Sequence, residues 1–388
     1  MHIEYDKPLA PLTTFKIGGP AREFTRIESA DDLPLALQHA DEFGLSVLIL
    51  GGGSNMLISD SGFDGLVIQI ANGGIEVSAG DDTHTILRVA SGEVWDDVVK
   101  YSVDHNLWGI ENLSRIPGQA GSVAVQNVGA YGEEARDVIV NVEVFDRKKH
   151  KFRTLTNEEC MFRYRSSIFN STEKDRYVIL NTTFRLSTIP KRNLSYPDVR
   201  KRFEANPEPR QQEIREAIKE IRDRKFPFPA ESVEGNAGSF FKNSVITYEE
   251  RQKLEWQFEY QLPDYFERLN EILSKVPSQK AMYPWWGMPV YAAGPYKIPS
   301  AFILEACGLN GFRMGDVMLN PTQPVVVLNV TGKASASDVL TLVREVRKIV
   351  QHKTGLHLLT EPELIGFDAD ELSEYGFVEG EIERYVPS

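Results

Sequence analysis

The sequence predicts a mixed α and β protein with at least two lobes. Its 388 residues are 41% hydrophobic and 26% charged, a globular balance whose length suits roughly two or three domains. Amphipathic helical patterns and short strand-like runs occur along the same chain, which indicates the mixed class. The composition changes over residues 188–210, which are rich in proline, arginine and asparagine, and we interpret this stretch as a connector between lobes.

The composition also excludes several classes of function. A net charge of −13, from 56 acidic and 43 basic residues, repels phosphate polymers, so we expect no nucleic-acid partner. No apolar run approaches the roughly 20 residues that span a bilayer, and the first residues do not form a signal peptide. The two cysteines, Cys160 and Cys307, lack metal-type spacing, which is typical of a reducing compartment. We therefore expect a cytoplasmic protein without a membrane partner.

A helix and then a strand are predicted near the beginning of the chain. Ser29 supplies a capping start, apolar residues recur at helical spacing over 33–40, and Gly44 suits the stop. Residues 47–50 form a fully apolar run, which is typical of a buried strand. A glycine cluster follows at once, so a loop is predicted at the carboxyl end of this strand.

The later elements are predicted from the same two periodicities. Strands are predicted at 66–70, 86–90 and 325–328, and at 138–144 with valine at every second position. Helices are predicted around 94–99, over 214–221 with an end at Pro227 and Pro229, and over 339–350 with an end at Gly355. Residues 250–300 are predicted to be irregular and aromatic, with Trp256, Trp285 and Trp286.

Three glycines and two polar residues directly follow the predicted buried strand, as Gly51, Gly52, Gly53, Ser54 and Asn55. Glycine lets backbone N–H groups approach a phosphate closely, and the serine and asparagine add donors. The spacing differs from the dinucleotide fingerprint, and no lysine follows as in a P-loop. A tight turn between strands explains the same pattern, so both interpretations stay open for this cluster alone.

A second glycine-rich stretch covers residues 116–132 and has no amphipathic face. Small residues, glycines and amide side chains are concentrated there, whereas a structural loop of this length is usually polar. Close approach of the backbone to a large planar ligand explains the stretch better, with Tyr131 as an aromatic wall. Two such loops suit a ligand that has a pyrophosphate and a ring.

Three further side chains have the chemistry of an active site. Ser239 lies between a glycine and two phenylalanines, where its hydroxyl suits proton donation, although a serine that caps a turn is the simpler interpretation. Arg165 lies among aromatic residues, as in cation–π packing or an anion clamp. Glu363 lies at the edge of an apolar run, which also suits a solvated strand end. The seven histidines form no ligand cluster, so we expect no metal.

Together these segments closely resemble the UDP-N-acetylenolpyruvoylglucosamine reductase family. The likeness runs from Thr-Thr-Phe-Lys-Ile-Gly-Gly at 13–19 almost to the C-terminus. Five motifs occur in the family's order: Gly-Gly-Ser-Asn at 52–55, Ile-Pro-Gly…Gln-Asn-Val-Gly-Ala-Tyr-Gly at 116–132, Tyr-Arg-x-Ser-x-Phe at 164–169, Gly-Asn-Ala-Gly-Ser-Phe-Phe-Lys-Asn at 235–243, and Glu-Pro-Glu at 361–363. Two positions depart from the family pattern, since Ser244 replaces a frequent proline and Ser166 an expected aspartate.

The resemblance implies an α+β fold with an FAD-binding lobe of the vanillyl-alcohol-oxidase (PCMH) type in two subdomains, plus a separate α+β substrate-binding domain. The implied bounds are 1–75 and 76–210 for the two subdomains, the second with a Tyr196 loop, then 211–355 for the substrate-binding domain and 356–388 for a C-terminal return segment carrying Glu363. FAD is expected to be non-covalent, because neither glycine-rich segment contains a histidine. The implied cofactor-binding residues are Gly51, Gly52, Gly53, Ser54, Asn55, Ile116, Pro117, Gly121, Ser122, Val125, Asn127, Gly129 and Tyr131.

The resemblance also implies the reaction, an NADPH-dependent reduction of UDP-N-acetylglucosamine enolpyruvate to UDP-N-acetylmuramate in peptidoglycan synthesis. It thereby implies a part in cell wall biogenesis, cell shape and cell division. Hydride is expected to pass from flavin N5 to the terminal vinyl carbon. Arg165 would stabilise the enolate, Glu363 would assist at the carboxylate, and Ser239 would protonate the neighbouring carbon. The implied substrate-binding residues are Tyr164, Tyr196, Lys225 and Asn243, with Tyr196 closing over the UDP portion, and we expect a monomer.

Two alternatives remain open from the sequence. An oxidase or dehydrogenase on the same flavoprotein scaffold would use both glycine-rich loops, but it has no reason to carry the motifs around Ser239 and Glu363. A non-catalytic FAD- or nucleotide-sugar-binding module has no reason to combine these two residues with Arg165.

Overall fold

The structure, a computed structural model, describes residues 1–225, 231–261, 288–289 and 296–386. The chain divides into two compact units. Unit 1 comprises 1–14, 20–54 and 62–231, and unit 2 comprises 15–19, 55–61 and 232–388. The division after Glu231 keeps 211–231 in unit 1, and two short N-terminal segments join unit 2. The domain bounds expected from the resemblance remain predictions.

The strands of the N-terminal half are β1 (Glu4–Pro8), β2 (Pro20–Ile27), β3 (Ser46–Leu50), β4 (Met56–Ile58), β5 (Phe63–Ile70), β6 (Ile75–Asp81), β7 (His84–Ala90), β8 (Gly129–Ala130), β9 (Glu133–Glu134), β10 (Ile139–Asp146), β11 (Lys151–Thr156) and β12 (Tyr177–Ser187). Those of the C-terminal half are β13 (Gly235–Ser239), β14 (Ser244–Ile246), β15 (Met288–Pro289), β16 (Tyr296–Ile298), β17 (Arg313–Met314), β18 (Val317–Leu319), β19 (Val326–Asn329) and β20 (Glu363–Ile365).

The α-helices are α1 (Leu33–Phe43), α2 (Trp95–Asp104), α3 (Ala120–Val125), α4 (Pro197–Arg202), α5 (Gln211–Lys225), α6 (Tyr248–Gln261), α7 (Ser300–Ala306), α8 (Ala336–Thr354), α9 (Ala369–Glu374) and α10 (Glu379–Tyr385). Short 3₁₀ turns occur at Ala10–Leu12, Ala30–Asp32, Glu111–Leu113, Ala135–Asp137 and Ile168–Asn170. Among the described residues no helix is both long and apolar enough to cross a membrane.

The first sheet of unit 1 has the order β1-β2-β5-β3, with β2, β5 and β3 parallel and β1 antiparallel to β2. The apolar face of α1 packs on this sheet, as its periodicity predicts. Ser29 caps the 3₁₀ turn that leads into the helix, and Gly44 ends it in a left-handed conformation with φ +62°. The prediction of a fully buried strand at 47–50 is wrong. Only Leu50 is buried, because β3 is the edge strand of the sheet.

The second sheet of unit 1 is antiparallel, with the order β11-β10-β12-β7-β6. Helices α2 and α3 contribute to the core against this sheet, with Trp95 among the largest fully buried side chains. The alternation predicted for 138–144 is only partly correct, since Val142 and Val144 are buried but Val140 is 38% exposed. A bulge between Ile139 and Asn141 shifts the register against β12 and turns Val140 outward.

Helix α5 closes unit 1 and agrees with the prediction over 214–221. Its isoleucines pack with Trp108, Tyr131 and Val199 in a separate apolar cluster. The helix extends to Lys225, and the predicted stop signals Pro227 and Pro229 lie outside the described residues.

Unit 2 has an antiparallel sheet of order β13-β19-β18-β17, a smaller sheet of order β14-β16-β15, and the parallel pair β4 and β20. The predicted strand at 325–328 is β19, and the predicted helix over 339–350 is α8, which begins with a capping box at Ser335 and ends at Gly355 with φ +73°. The prediction of an irregular chain from 250 is wrong as far as 261, where α6 is helical with Trp256 exposed. Trp285 and Trp286 lie outside the described residues.

Candidate active site

The two glycine-rich loops of unit 1 lie against each other. A methyl group on Gly52 would approach the Gly118 Cα to 2.9 Å, and one on Gly118 would approach the Ser54 Oγ to 2.7 Å. Gly53 has φ +58°, and a side chain there would collide with the Leu12 carbonyl oxygen at 2.3 Å. Close backbone approach therefore requires glycine at 52 and 53, and a φ of +118° favours it at 118. The loops together form one backbone cradle, as expected for a cofactor site.

Two buried polar atoms beside this cradle lack a hydrogen-bond partner. The Gln119 Oε1 lies 3.2 Å from the position of a Gly51 Cβ, and the Ser91 Oγ lies 2.6 Å from that of a Gly121 Cβ. Buried polar atoms are normally paired, so these two atoms indicate an additional ligand with polar groups. The open backbone and these atoms fit the hydroxyl, phosphate and ring N–H groups of FAD.

Stretch 116–132 contains secondary structure that its sequence did not indicate. Helix α3 occupies 120–125 and brings Gly121 against Ser91, whose carbonyl accepts from the Gly121 N–H at 3.0 Å. The other predicted cofactor residues follow the same segment: Ile116 and Pro117 are half-buried before α3, Ser122 donates to the Gln119 carbonyl at 2.6 Å, Val125 ends α3, and Gly129 begins β8.

Asn127 connects residues 116–132 to the segment that carries Arg165 through hydrogen bonds. Its amide nitrogen donates to the Arg163 carbonyl at 3.0 Å and to Glu134 at 2.9 Å, and its Oδ1 accepts from the Arg136 N–H at 3.0 Å. Both amide hydrogens are therefore used within the protein. The Asn127 Oδ1 accepts only one of these bonds, so a further contact of this side chain would use the second lone pair of that oxygen.

Arg165 lies in a tight turn that is fixed by hydrogen bonds. The turn is closed by reciprocal backbone bonds between Arg163 and Ser166, and the Ser167 hydroxyl donates to the Val125 carbonyl at 2.6 Å. Arg165 itself has φ +53°, a left-handed conformation that turns usually assign to glycine or asparagine. Its guanidinium lies 5.9 Å from the centre of the Tyr164 ring, which is 55% exposed. A strained arginine in a fixed turn suggests a functional constraint.

Three predicted residues meet in an aromatic and cationic cluster of unit 1. The Tyr131 and Tyr196 rings pack edge to face with centroids 5.0 Å apart. The Lys225 ammonium lies 5.7 and 5.8 Å from the two ring centres and 2.9 Å from Asp198. Burial opposes the charge on Lys225, but Asp198 and the two tyrosines outweigh it and raise the pKa of this lysine. The structure thus places a retained positive charge beside the predicted lid tyrosine.

Arg222 and Asp198 are residues of this cluster that the sequence reasoning missed. Arg222 bonds to Tyr131 and donates to the Arg115 carbonyl at 2.9 Å. The signal available for Arg222 is the run of basic residues in the last turn of α5. Asp198 lies in the first turn of α4, directly after the Tyr-Pro pair, but only its contact with Lys225 indicates its importance.

In unit 2 the segment that follows Ser239 pairs with the segment that precedes Glu363. The Glu361 N–H donates to the Phe240 carbonyl at 2.9 Å, the Lys242 N–H donates to the Leu359 carbonyl at 2.8 Å, and Phe241 bridges Thr360. Both phenylalanines are buried, whereas the side chain of Ser239 is exposed. Two motifs separated by more than a hundred residues are therefore neighbours.

The remaining predicted residues of unit 2 surround this pair of segments. The Asn55 carbonyl accepts from the Glu363 N–H at 3.0 Å, so this residue of the first glycine-rich loop belongs to unit 2. The Asn243 Oδ1 accepts from the Ser300 N–H at 3.1 Å at the start of α7. The Glu363 carboxylate is 2.8 Å from the Arg384 guanidinium. Arg165 belongs to unit 1, and Ser239 and Glu363 belong to unit 2.

Comparisons with known proteins agree with the division of the chain into two units. An FAD binding domain model matches residues 22–154, and a model of the UDP-N-acetylenolpyruvoylglucosamine reductase C-terminal domain matches residues 229–365. Curated reductases of that name are similar over most of the chain. The protein from Neisseria gonorrhoeae is 35% identical over 93% of this chain and 96% of its own length. The protein from Bdellovibrio bacteriovorus is 33% identical over 93% of this chain and 99% of its own length.

A solved structure is similar in fold. The UDP-N-acetylenolpyruvylglucosamine reductase from Thermus caldophilus matches with a TM-score of 0.60 and 22% identity, over 94% of this chain and 98% of that chain. The identity is low enough that this match supports the fold alone. The domain models and the curated relatives show the family, and they confirm the α+β fold with a flavin-binding lobe and a separate C-terminal domain. The chain belongs to the UDP-N-acetylenolpyruvoylglucosamine reductase family of FAD-dependent oxidoreductases.

Proposed function

We propose that this chain reduces UDP-N-acetylglucosamine enolpyruvate to UDP-N-acetylmuramate with NADPH, through bound FAD, in peptidoglycan precursor synthesis. The observation that carries the proposal is the pairing of the Ser239 segment with the Glu363 segment inside the domain that matches the family's C-terminal model. Neither a simple flavin oxidase nor a binding module has a reason to pair the segments that carry this serine and this glutamate.

The cradle of unit 1 is proposed to hold FAD through backbone N–H groups. Gly51 to Ser54 would face the pyrophosphate, and the residues around Gly121 would face the ring system. When bound, FAD supplies the hydride that it has received from NADPH. The protein's task is then to bind and orient the enol ether and to control charge and protons as its double bond is reduced.

Arg165 is proposed to stabilise the negative charge that develops on the enolpyruvyl carboxylate. Its turn is bonded to residues 116–132 through Asn127 and Ser167, so the backbone that carries the guanidinium is already ordered when the substrate arrives. Such preorganisation suits a charge that exists only in the transition state.

Ser239 and Glu363 are proposed to act on the same part of the substrate. The exposed hydroxyl of Ser239 would donate its proton to the carbon beside the carboxylate, while the terminal carbon receives the hydride. A serine hydroxyl is a weak acid, so this step requires a strongly basic carbon and the exclusion of water. Glu363 would orient the carboxylate end of the substrate.

The cluster of Tyr131, Tyr196 and Lys225 is proposed to bind the nucleotide part of the substrate. Lys225 retains its positive charge, which suits a diphosphate, and Tyr196 offers a ring that is 37% exposed for stacking. Tyr164 and Asn243 are proposed as further substrate contacts. Tyr196 would close over the UDP portion when the substrate is present.

The monomeric state and the cytoplasmic location are also proposals. Size-exclusion chromatography with light scattering tests the monomeric state. Cys160 and Cys307 are buried free thiols, which suits a reducing compartment.

The visible spectrum of the purified protein under anaerobic conditions tests the proposed function. NADPH is expected to bleach the bound flavin, and the UDP-sugar enolpyruvyl ether is then expected to restore its colour. If NADPH bleaches the flavin but the ether does not restore its colour, the protein is a flavoenzyme with a different substrate. Rapid reoxidation by oxygen alone would indicate an oxidase.

A further inference from the structure

The C-terminal helix α10 contributes an arginine to the Glu363 segment. The Arg384 guanidinium donates to the carbonyl oxygens of Thr360 at 3.2 Å and Glu361 at 3.4 Å, and to the Glu363 Oε1 at 2.8 Å. These three acceptors lie on one short stretch of chain. The Arg384 side chain therefore contacts both the backbone before Glu363 and the proposed active-site carboxylate itself. Arginine suits this task because its planar group has several donors in a fixed geometry.

Helix α10 is itself anchored in unit 2 by a buried network. Arg347 on α8 pairs with Glu381 at 2.6 Å, and both side chains are almost fully buried. His357 is 2.9 Å from the other oxygen of Glu381. The Tyr385 hydroxyl is 2.6 Å from the Thr360 hydroxyl. These contacts hold the backbone of α10, and with it the backbone of Arg384, in place.

The backbone of Glu363 is held independently of Arg384. Strand β20 pairs in parallel with β4, and the Glu363 N–H donates to the Asn55 carbonyl. Removal of Arg384 therefore leaves the main chain at Glu363 in place and takes one close partner away from its carboxylate. A glutamate side chain has three rotatable bonds, so its carboxylate needs a partner to stay in one orientation.

We infer that Arg384 is a positioning residue that holds the Glu363 carboxylate for the substrate, so that α10 is a working part of the active site. The inference rests on the proposed role of Glu363. Arg384 lies outside the part of the chain that matches the family's C-terminal domain model, since that match ends at residue 365. Displacement of a catalytic group by about 1 Å can slow a reaction by about 10²-fold, which sets the size of the expected effect.

The competing explanation is that Arg384 only attaches α10 to the carbonyls of Thr360 and Glu361. A double-mutant cycle separates the two roles, because a residue that acts through Glu363 has nothing left to position once that carboxylate is removed. Methionine at 384 retains an apolar stem of similar length, and lysine retains a charge. Glu383→Gln is the matched control, since it changes an exposed side chain next to Arg384 on the same helix.

The test uses the full-length FAD enzyme and measures the two half-reactions separately by anaerobic stopped-flow absorbance. Arg384→Met is expected to leave flavin reduction by NADPH unchanged and to slow reoxidation by the enolpyruvyl ether about 10- to 100-fold. Arg384→Lys should recover part of this loss, and Glu383→Gln should match the wild type. In a Glu363→Gln background, Arg384→Met should cause no further loss.

Two outcomes would overturn the inference alone. Reoxidation of Arg384→Met at the wild-type rate would show that no positioning is needed. Losses that multiply in the double variant would show that Arg384 acts elsewhere. Circular dichroism of Arg384→Lys and Arg384→Met checks that both fold, and calorimetric titration of the oxidised enzyme with the ether gives a readout without turnover. A wild type that neither binds nor reacts with the ether would instead overturn the proposed function, and the inference with it.

Discussion

At the scale of single residues, the backbone conformation of Arg165 predicts opposite effects of one substitution on the stability of the fold and on the rate of reaction. A non-glycine residue at φ +53° carries about 1–2 kcal/mol of strain. Arg165→Gly removes that strain, so the variant is expected to be at least as resistant to urea as the wild type. It should nevertheless lose about 10²–10³-fold in the rate of flavin reoxidation by the enol ether, because the stabilising charge is gone.

Arg165→Lys is the control for this prediction. It keeps a positive charge and the strained backbone, so we expect partial activity without the gain in stability. Urea unfolding curves and stopped-flow traces of both variants provide the two measurements. A glycine variant with wild-type reoxidation would remove Arg165 from the mechanism.

Ser239 gives a second prediction at this scale, which concerns the proton rather than the charge. Ser239→Ala should leave the bleaching of the flavin by NADPH intact and abolish the return of colour with the ether, because only the second half-reaction needs a proton donor. Ser244→Ala, in β14, is a control that removes a nearby hydroxyl. Equal damage to both half-reactions would argue for a structural role of Ser239.

At the scale of secondary-structure elements, Asp96 joins α2 to α5 within unit 1. Arg215 contacts both carboxylate oxygens at 2.7 and 3.0 Å, and the Arg115 N–H donates to one of them at 2.6 Å. The side chains of Asp96 and Arg215 are both largely buried. Asp96→Asn leaves the buried Arg215 without its counter-charge, so the free energy of unfolding should fall by about 3 kcal/mol at neutral pH.

This loss should depend on pH in a defined direction. Burial opposes the charge on Asp96, but the bonds from Arg215 and Arg115 outweigh it and lower the pKa of this carboxyl below its ordinary value of 3.8. The stabilisation is therefore complete above about pH 5, and it declines as the pH falls through the ordinary pKa towards the lower pKa of the folded state. Urea unfolding of wild type and Asp96→Asn should converge in acid. Asp97→Asn, one residue along the same helix and exposed, is the control with the same change of charge.

Helices were easier to predict from this sequence than strands. The caps at Gly44 and Gly355 and the apolar faces of α1 and α8 are local patterns, and the structure confirms them. The burial of 47–50 and the exposure of Val140 depend instead on an edge position and on a bulge, which no local pattern encodes. Helix α6 was missed because its aromatic residues suggested irregular chain.

At the scale of the whole molecule, the parts of the candidate site were recognisable from sequence, but their assembly was not. The loop glycines, Ser239 and Glu363 belong to recognisable motifs. The pairing of β4 with β20 joins residues about three hundred positions apart and assigns Asn55 to unit 2. Arg222 and Arg384 are important only through what they contact. Pairing between distant segments leaves no periodic pattern in the sequence, so these features could not be predicted from it.

The last prediction concerns FAD as part of the folded protein. A ligand that binds only the native state at 100 times its dissociation constant adds about 2.7 kcal/mol of stability, which corresponds to a rise in Tm of about 5–10 °C for a unit of this size. Differential scanning calorimetry with and without added FAD should show that rise for the wild type. In Gly52→Ala the added methyl group would lie 2.9 Å from the Gly118 backbone, so this variant should lose the flavin colour and the rise together. Gly380→Ala, where no atom lies within 4 Å of the added methyl group, should keep both. A Gly52→Ala protein that is yellow and stabilised by FAD would show that the two glycine-rich loops do not form the cofactor site.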